Sequence, residues 1–346
     1  MSTPRPTKLS VVIVGDPGES HIGRHLDRAA RAQGLNVALC DVTSAHSGSH
    51  VAKLVNWRLR GHRPNRLRPF SRHVLDVCRT NHPTHLIATG LAAIDQKTLR
   101  AIGAMGIRRI NFLTDDPWNA LHYSPWFLRG IGEYDRVFSP RTANLADLRS
   151  AGCRAVDYLP FAYAPDVHFP DPPQSADESA RFTSDLVFIG GADGDRVRWL
   201  RPLIAAGFRV ALYGGYWDRF ADTRTSALGM ADPWMARKAI GGAAVALCLV
   251  RHANRDGHSM RTFEVPAIGA CMLVEDTAEH RAIFGRSRAA VEYVTSPRDA
   301  VDRLGALLSQ ESERRRMKEN VHQLVRSRPH TWSDRLETML NAGGFE

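Results

Sequence analysis

Apolar residues along this chain gather in short runs that end in glycine or a turn residue, and between the runs they recur at helical spacing. "LSVVIVG" (9–15) is the first run and has the look of a buried parallel strand. "HIGRHLDRAARAQG" follows with apolar positions on one helical face and Gly34 as its stop, and "LNVALCD" (35–41) is the next strand. The same rhythm predicts strands at "THLIATG" (84–90), "IRRINFLTDD" (107–116), "YDRVFSP" (134–140) and "RAVDYLP" (154–160), with helices between them. Residues 161–184 break the pattern with Pro165, Pro170, Pro172 and Pro173 and a polar run. Alternation then restarts at "DLVFIGG" (185–191), "FRVALYGG" (208–215), "AAVALCLV" (243–250), "ACMLVED" (270–276) and "AAVEYV" (289–294), and three helical segments close the chain. Strands alternating with helices give parallel sheets covered on both faces. The expected fold is therefore α/β, with two Rossmann-like doubly wound domains. Residues 1–165 form the first, 166–184 a Pro-rich linker and 185–328 the second; a terminal helix in 329–346 packs back on the first. Ligands of such open sheets gather at strand carboxyl ends, here in a cleft between the domains.

Composition narrows this picture. A chain of 346 residues exceeds what one core usually supports, and 43% hydrophobic with 24% charged residues is globular. No apolar run approaches the roughly 18 residues of a spanning helix, and the first residues lack the apolar core of a signal peptide. Cys40, Cys78, Cys153, Cys248 and Cys271 are odd in number and widely spaced, as expected of reduced core residues in a cytoplasmic protein. Charge is one-sided. Residues 1–160 hold 22 Lys and Arg against 12 Asp and Glu, whereas residues 161–346 hold 24 of each. The surplus peaks at "NWRLRGHRPNRLRPFSRH" (56–73), with Arg58, Arg60, Arg63, Arg66, Arg68 and Arg72. Such a segment is either a solvated loop or a contact for an anionic partner.

The candidate chemistry lies mostly in the second half. In "DGHSMRTFEVPAIGACMLVED" (256–276), Asp256, Gly257, His258 and Ser259 precede a helix starting near Met260. Free backbone N–H groups and the positive dipole end at that point suit a diphosphate, and Gly257 lets the backbone come close. "FIGGADGD" (188–195) is a strand entering a glycine turn, where Gly190 and Gly191 can line a phosphate site and Arg196 opens the next helix. It is not the G-x-G-x-x-G of nicotinamide-binding folds.

Seven segments in order, "TDDPWN", "YDRVFSPRTANLADLRSAGC", "YLPFAYAPDVHFP", "FIGGADGDRVRWLRPL", "LYGGYW", "MRTFEVPAIGACMLVED" and "HTWSDRLETML", resemble the spore-maturation-protein-like (CgeB-type) glycosyltransferases of the GT-B fold. The resemblance spans about residues 110–340 and departs from the GT-B pattern at Asp256, where a glutamate is usual. It implies transfer of a sugar from a nucleotide-diphosphate donor to a hydroxyl of a glycan, glycolipid or other cell-surface or secondary-metabolite acceptor. It also implies that Glu264, facing the cleft, accepts hydrogen bonds from the donor ribose while Arg261 stands beside the diphosphate. Loops at "LYGGYW" and "LGMADPW" would hold the nucleobase, with Tyr213, Met230 and Ala231 as candidates. The resemblance also implies that no cofactor and no metal are required, the helix dipole and basic residues taking the ion's role.

For a general base, Asp116 in "TDDP" is a candidate, with helix capping as the equal alternative; adjacent Asp115 and Asp116 point to opposite faces and chelate one ion poorly. Asp16 and His21 in "GDPGESHIG" (15–23) are the others, with His122 and His252 behind them. Two other classes remain open. One is a GT-B-type nucleotide-sugar epimerase, which needs no acceptor. The other is a non-catalytic module binding nucleic acid or anionic surfaces, which leaves the neutral second half without a role; nucleic acid is the less expected partner. The Arg58–Arg72 segment points to an anionic acceptor or to peripheral attachment at the inner face of a membrane.

Overall fold

The computed structural model describes residues 9–120 and 123–342, so His122 lies outside the described residues. The chain divides into two compact units. One holds residues up to Pro160 together with Ala253–Arg255 and the segment from Trp332; the other holds Phe161–His252 and Asp256–Thr331.

The first unit is built on six parallel strands, β1 (Ser10–Gly15), β2 (Asn36–Asp41), β3 (His85–Thr89), β4 (Arg108–Phe112), β5 (Arg136–Ser139) and β6 (Val156–Tyr158), in the order β2-β1-β3-β4-β5-β6. Its helices are α1 (Ile22–Ala32), α2 (His50–Leu59), α3 (Leu67–Asn81), α4 (Gln96–Gly103), α5 (Pro125–Leu128) and α6 (Asn144–Ser150). Val11 to Val14 of β1 are fully buried, because both faces of the sheet are covered; this is why the sequence shows a continuous apolar run there and not an alternation. Val12, Val14, Leu86 and Ala88 pack with Phe70, Val74 and Cys78 of α3 in one core.

The second unit carries five parallel strands, β7 (Ser184–Ile189), β8 (Val210–Tyr213), β9 (Ala243–Cys248), β10 (Met272–Glu275) and β11 (Glu292–Val294), in the order β11-β10-β9-β7-β8. Its helices are α7 (Ala176–Phe182), α8 (Gly194–Ala205), α9 (Pro233–Gly242), α10 (Arg261–Ile268), α11 (Ala278–Phe284), α12 (Pro297–Ser309) and α13 (Glu311–Arg326). The last helix, α14 (Trp332–Asn341), packs on α1 of the first unit. There Trp332 stacks on His25 at 6.0 Å between ring centres and meets Phe112 edge-on.

All eleven strands fall where the apolar runs predict them. The proline-rich stretch differs: it is not a free linker but part of the second unit. Asp171 accepts from Lys238 Nζ at 2.8 Å and from Arg237 Nε at 3.3 Å, and Pro172 and Pro173 press on Gly241 and Gly242 of α9. Prolines mark irregular backbone, but they do not say whether it is docked.

Candidate active site

In the second unit the strands converge on two glycine turns. Gly190 N–H donates to the Tyr213 carbonyl at 2.8 Å, and Ala192 N–H donates to the Gly215 carbonyl at 2.9 Å, so the turns after β7 and β8 are zipped together. Gly214 has φ +138°, and a Cβ there would lie 2.2 Å from the Gly190 carbonyl oxygen; only glycine fits. Trp217 Nε1 donates to that same oxygen at 2.8 Å. The pairing holds the Gly190-Gly191 turn in a fixed position at the start of α8.

Three guanidiniums occupy this end of the sheet. Arg196 is buried on the first turn of α8, donates from Nη1 to the Gly191 carbonyl at 2.8 Å, and lies over the Phe188 ring. Its Nε is buried without a hydrogen-bond acceptor, Asp193 Oδ2 being 3.7 Å away. Arg251 reaches the same Asp193 oxygen at 3.6 Å. Arg261 donates from Nε to the Ile189 carbonyl at 3.1 Å and from Nη1 to Glu264. Burial first, and then the neighbouring Arg251, lower the Arg196 pKa; burial pushes Arg261 down to about 10, with Arg196 adding to the effect. Cations that depress one another are stabilised when an anion arrives. The backbone N–H groups of Met260 and Arg261, at the start of α10, have no backbone acceptor among the described residues.

Several expectations change in detail. Glu264 does not stand open to a cleft. It is 1% exposed, paired with Arg261 through Oε2 and 3.7 Å from His168 Nε2 through Oε1. His258 is fully buried: Nε2 accepts from the Phe161 N–H at 3.2 Å, so Nδ1 carries the proton it shares with Glu279 at 2.6 Å. Its side chain is structural. Gly257 is small for the same reason, since a Cβ there would overlap the Glu279 side chain at 2.4 Å. Ser259 N–H is not available to a ligand, because it donates to Thr262 Oγ1 at 3.1 Å. That hydroxyl donates in turn to His280 Nε2, whose Nδ1–H goes to the Glu275 carbonyl; burial pushes His280 down to about 4 and keeps it neutral. Asp256 is half-buried and its charge acts on Arg196. Tyr213 is buried at a strand end, whereas Met230 is 73% exposed and Ala231 half-buried on the loop that Gly229 ties to Gly214 at 2.7 Å.

In the first unit Asp116 is not placed as a base. It is buried, accepts from Trp118 N–H and Asn144 Nδ2 at 3.0 Å each, and is gripped by Arg255 Nε and Nη2 at 2.6 and 3.1 Å. Despite burial, which raises it, the hydrogen bonds from Arg255 and Trp118 hold its pKa below the ordinary carboxylate value. Arg255 also reaches Asp147 at 2.8 Å, and Asn254 accepts from Asn119 at 2.8 Å, so Ala253–Arg255 is anchored in the first unit. Nothing at "RHANRDG" in the sequence marks this anchoring. Asp16 and His21, by contrast, come together after β1: His21 Nδ1 lies 3.5 Å from Asp16 Oδ2, with the imidazole largely exposed. His252 bonds Glu275 at 2.6 Å in the second unit. Sequence reasoning missed His168, Arg251 and Glu279, which lie outside any spacing rule and are joined to the site only by the fold.

The basic segment is only partly a loop, since a non-helical turn joins two helices within it. Arg58 is on α2 and Arg60 follows it, Arg63 is in the connecting turn, Arg66 precedes α3, and Arg68 and Arg72 lie on α3. Arg68, Arg72, Leu75 and Arg79, one stripe along α3, line a pocket of about 510 Å³ with Asp95 and Lys97. Among the described residues no helix is long and apolar enough to cross a membrane.

Residues 196–341 match the protein family described as glycosyl transferase-like. The whole chain shares its fold with sucrose-phosphate synthase from Thermosynechococcus elongatus, at 12% identity over 96% of this chain and 98% of that one, TM-score 0.66. HepE of Anabaena, solved in complex with UDP-glucose, is similar at 11% identity over 97% and 100%, TM-score 0.63. A putative UDP-N-acetylglucosamine 2-epimerase from Listeria monocytogenes matches at 11% identity over 92% and 94%, TM-score 0.54. No curated protein sequence matches this one. At such identities the structural likeness is one of fold, and that fold is GT-B. The matched family adds the activity: the protein is a glycosyltransferase.

Proposed function

We propose that the protein moves a sugar from a nucleotide-diphosphate donor, held on its second unit, to a hydroxyl of an anionic acceptor that meets the basic first unit, and that it belongs with the CgeB-type enzymes. The observation that carries the donor site is the Arg261–Glu264 pair at the start of α10, set beside Arg196 and the paired glycine turns. The diphosphate would take Arg196, Arg261 and the unpaired N–H groups of Met260 and Arg261. Glu264 would exchange part of its contact with Arg261 for the ribose hydroxyls, and the exposed Met230 loop would border the base.

A thermal-shift series over UDP-, GDP-, dTDP- and CDP-sugars identifies the donor, since a ligand that binds only the folded state raises the melting temperature. With that donor, Glu264→Ala should weaken binding about ten- to a hundred-fold, the worth of roughly 1.5–3 kcal/mol for hydrogen bonds to a charged group. Unchanged affinity by calorimetry would move the ribose elsewhere.

The donor site supplies its own cations, so turnover should persist in excess EDTA. Loss of activity restored by magnesium or manganese would show that the arginines do not suffice. An epimerase shares the fold, and donor conversion without any acceptor would favour that reading instead.

A further inference from the structure

We propose that α2 (His50–Leu59) is a membrane-interface helix that seats the first unit on an anionic lipid bilayer, a surface contact that does not depend on the donor-site reading. Among the described residues little packs against this helix, apart from Trp57, whose ring lies 4.1 Å from that of His62. Among its residues only Asn56 is buried, tied through Nδ2 to Asn65 Oδ1 at 2.6 Å. Yet half of its side chains are large and apolar, and all of these are exposed: Val51 by 72%, Leu54 by 44%, Val55 by 39%, Trp57 by 57% and Leu59 by 79%. Val51, Leu54 and Val55 stand at i, i+3 and i+4, and Trp57 lies one turn beyond Leu54, so most of them share the outward side. Scattered exposed apolar residues need no explanation, but so many on one short helix do.

Charge selects the occupant. Between Asp41 and Asp76 there is no acidic residue, while Lys53, Arg58, Arg60, Arg63, Arg66, Arg68 and Arg72 all fall there. A second copy of the chain would bring the same cations against these, which opposes a symmetric pairing. Nucleic acid would satisfy the cations but leave Val51 and Leu59 in water. A bilayer with anionic headgroups satisfies both, with the apolar side chains entering the acyl boundary and the long basic side chains reaching up to phosphates. A pocket of about 250 Å³ at the side of the helix, lined by His46, Lys53, Trp57, His62, Arg63 and Asn65, is placed to take one such phosphate.

The test is flotation of the full chain with vesicles of phosphatidylcholine alone and of phosphatidylcholine with about one third phosphatidylglycerol. The protein should float with the anionic vesicles. The variant Val51→Ser/Leu54→Ser/Leu59→Ser should lose roughly tenfold or more of that binding at low and high salt; Arg58→Ser/Arg60→Ser/Arg63→Ser should lose it chiefly at low salt. The replaced apolar residues are exposed, so melting temperatures should be unchanged. Should that variant nevertheless misfold, the difference in fluorescence between the protein and Trp57→Phe should shift to the blue on adding anionic vesicles. No flotation of the parent protein, or equal flotation of the apolar variant, overturns the proposal. So does a dimer in light scattering that the apolar variant dissociates while vesicles remain unbound, which would assign the face to a second copy.

Discussion

Arg261→Ala is expected to lower kcat by about a hundred- to a thousand-fold, comparable with removing one preorganised donor from an oxyanion site. The guanidinium is held before any ligand arrives, by the Ile189 carbonyl on one edge and Glu264 on another. In the proposed donor site it would therefore need little reorganisation to stabilise the charge that builds on the leaving diphosphate. A pKa pushed down to about 10 still leaves it charged at neutral pH. The partial burial that lowers the pKa would also strengthen its hold on a phosphate bound there. Arg261→Lys keeps the charge but cannot both hold the Ile189 carbonyl and present a planar fork, so its activity should fall between the two. Arg261→Ala also leaves the buried Glu264 without its cation, and the second unit should melt earlier. Single-turnover rates measured at saturating donor separate these effects. A variant that melts earlier but turns over at the normal rate would make Arg261 structural.

How much of this site the sequence reveals depends on what each residue does. Strand carboxyl ends and glycine turns are local, and the apolar runs place most of them to within a residue or two, as β7 with Gly190 and Gly191 shows, although the run to Asp116 overshoots β4, which stops at Phe112. Side-chain assignments failed where a long-range partner decides the role. His258 looked like a phosphate neighbour because it precedes a helix. Glu279, on the next helix, turns its imidazole inward, and no spacing rule joins the two. Asp116 looked like a base because it follows a strand. The residue that disqualifies it, Arg255, is more than a hundred positions away and adopts φ +51°, a conformation its residue type does not announce. The exposed apolar face of α2 is masked in another way, since its apolar positions are interspersed with Lys53 and Arg58 and followed by Arg60. Binary pattern alone does not tell a helix that packs inward from one that faces outward.

With Asp116 held by Arg255, we propose that the proton of the acceptor hydroxyl goes to the Asp16–His21 pair of the first unit. His21 opens α1 without capping it, its Nδ1 turned toward Asp16. Asp16 is itself oriented by accepting from the Gly18 N–H at 2.8 Å. A carboxylate behind Nδ1 favours the tautomer with the proton on that nitrogen, which leaves Nε2 as the base and stabilises the imidazolium that forms. The separation of 3.5 Å is longer than a good hydrogen bond, and such contacts commonly tighten when substrate binds. In an inverting transfer, His21→Ala should therefore cut kcat by about a hundred- to ten-thousand-fold, and Asp16→Asn by a smaller factor. Neither should alter donor affinity, because both lie outside the second unit. Rates and calorimetry on the two variants, with the anomeric configuration of the product read by NMR, make the test complete. If His21→Ala keeps its rate within a few-fold and the product retains the donor's configuration, the leaving phosphate takes the proton, and the Asp16–His21 pair is no more than the entry turn of a helix.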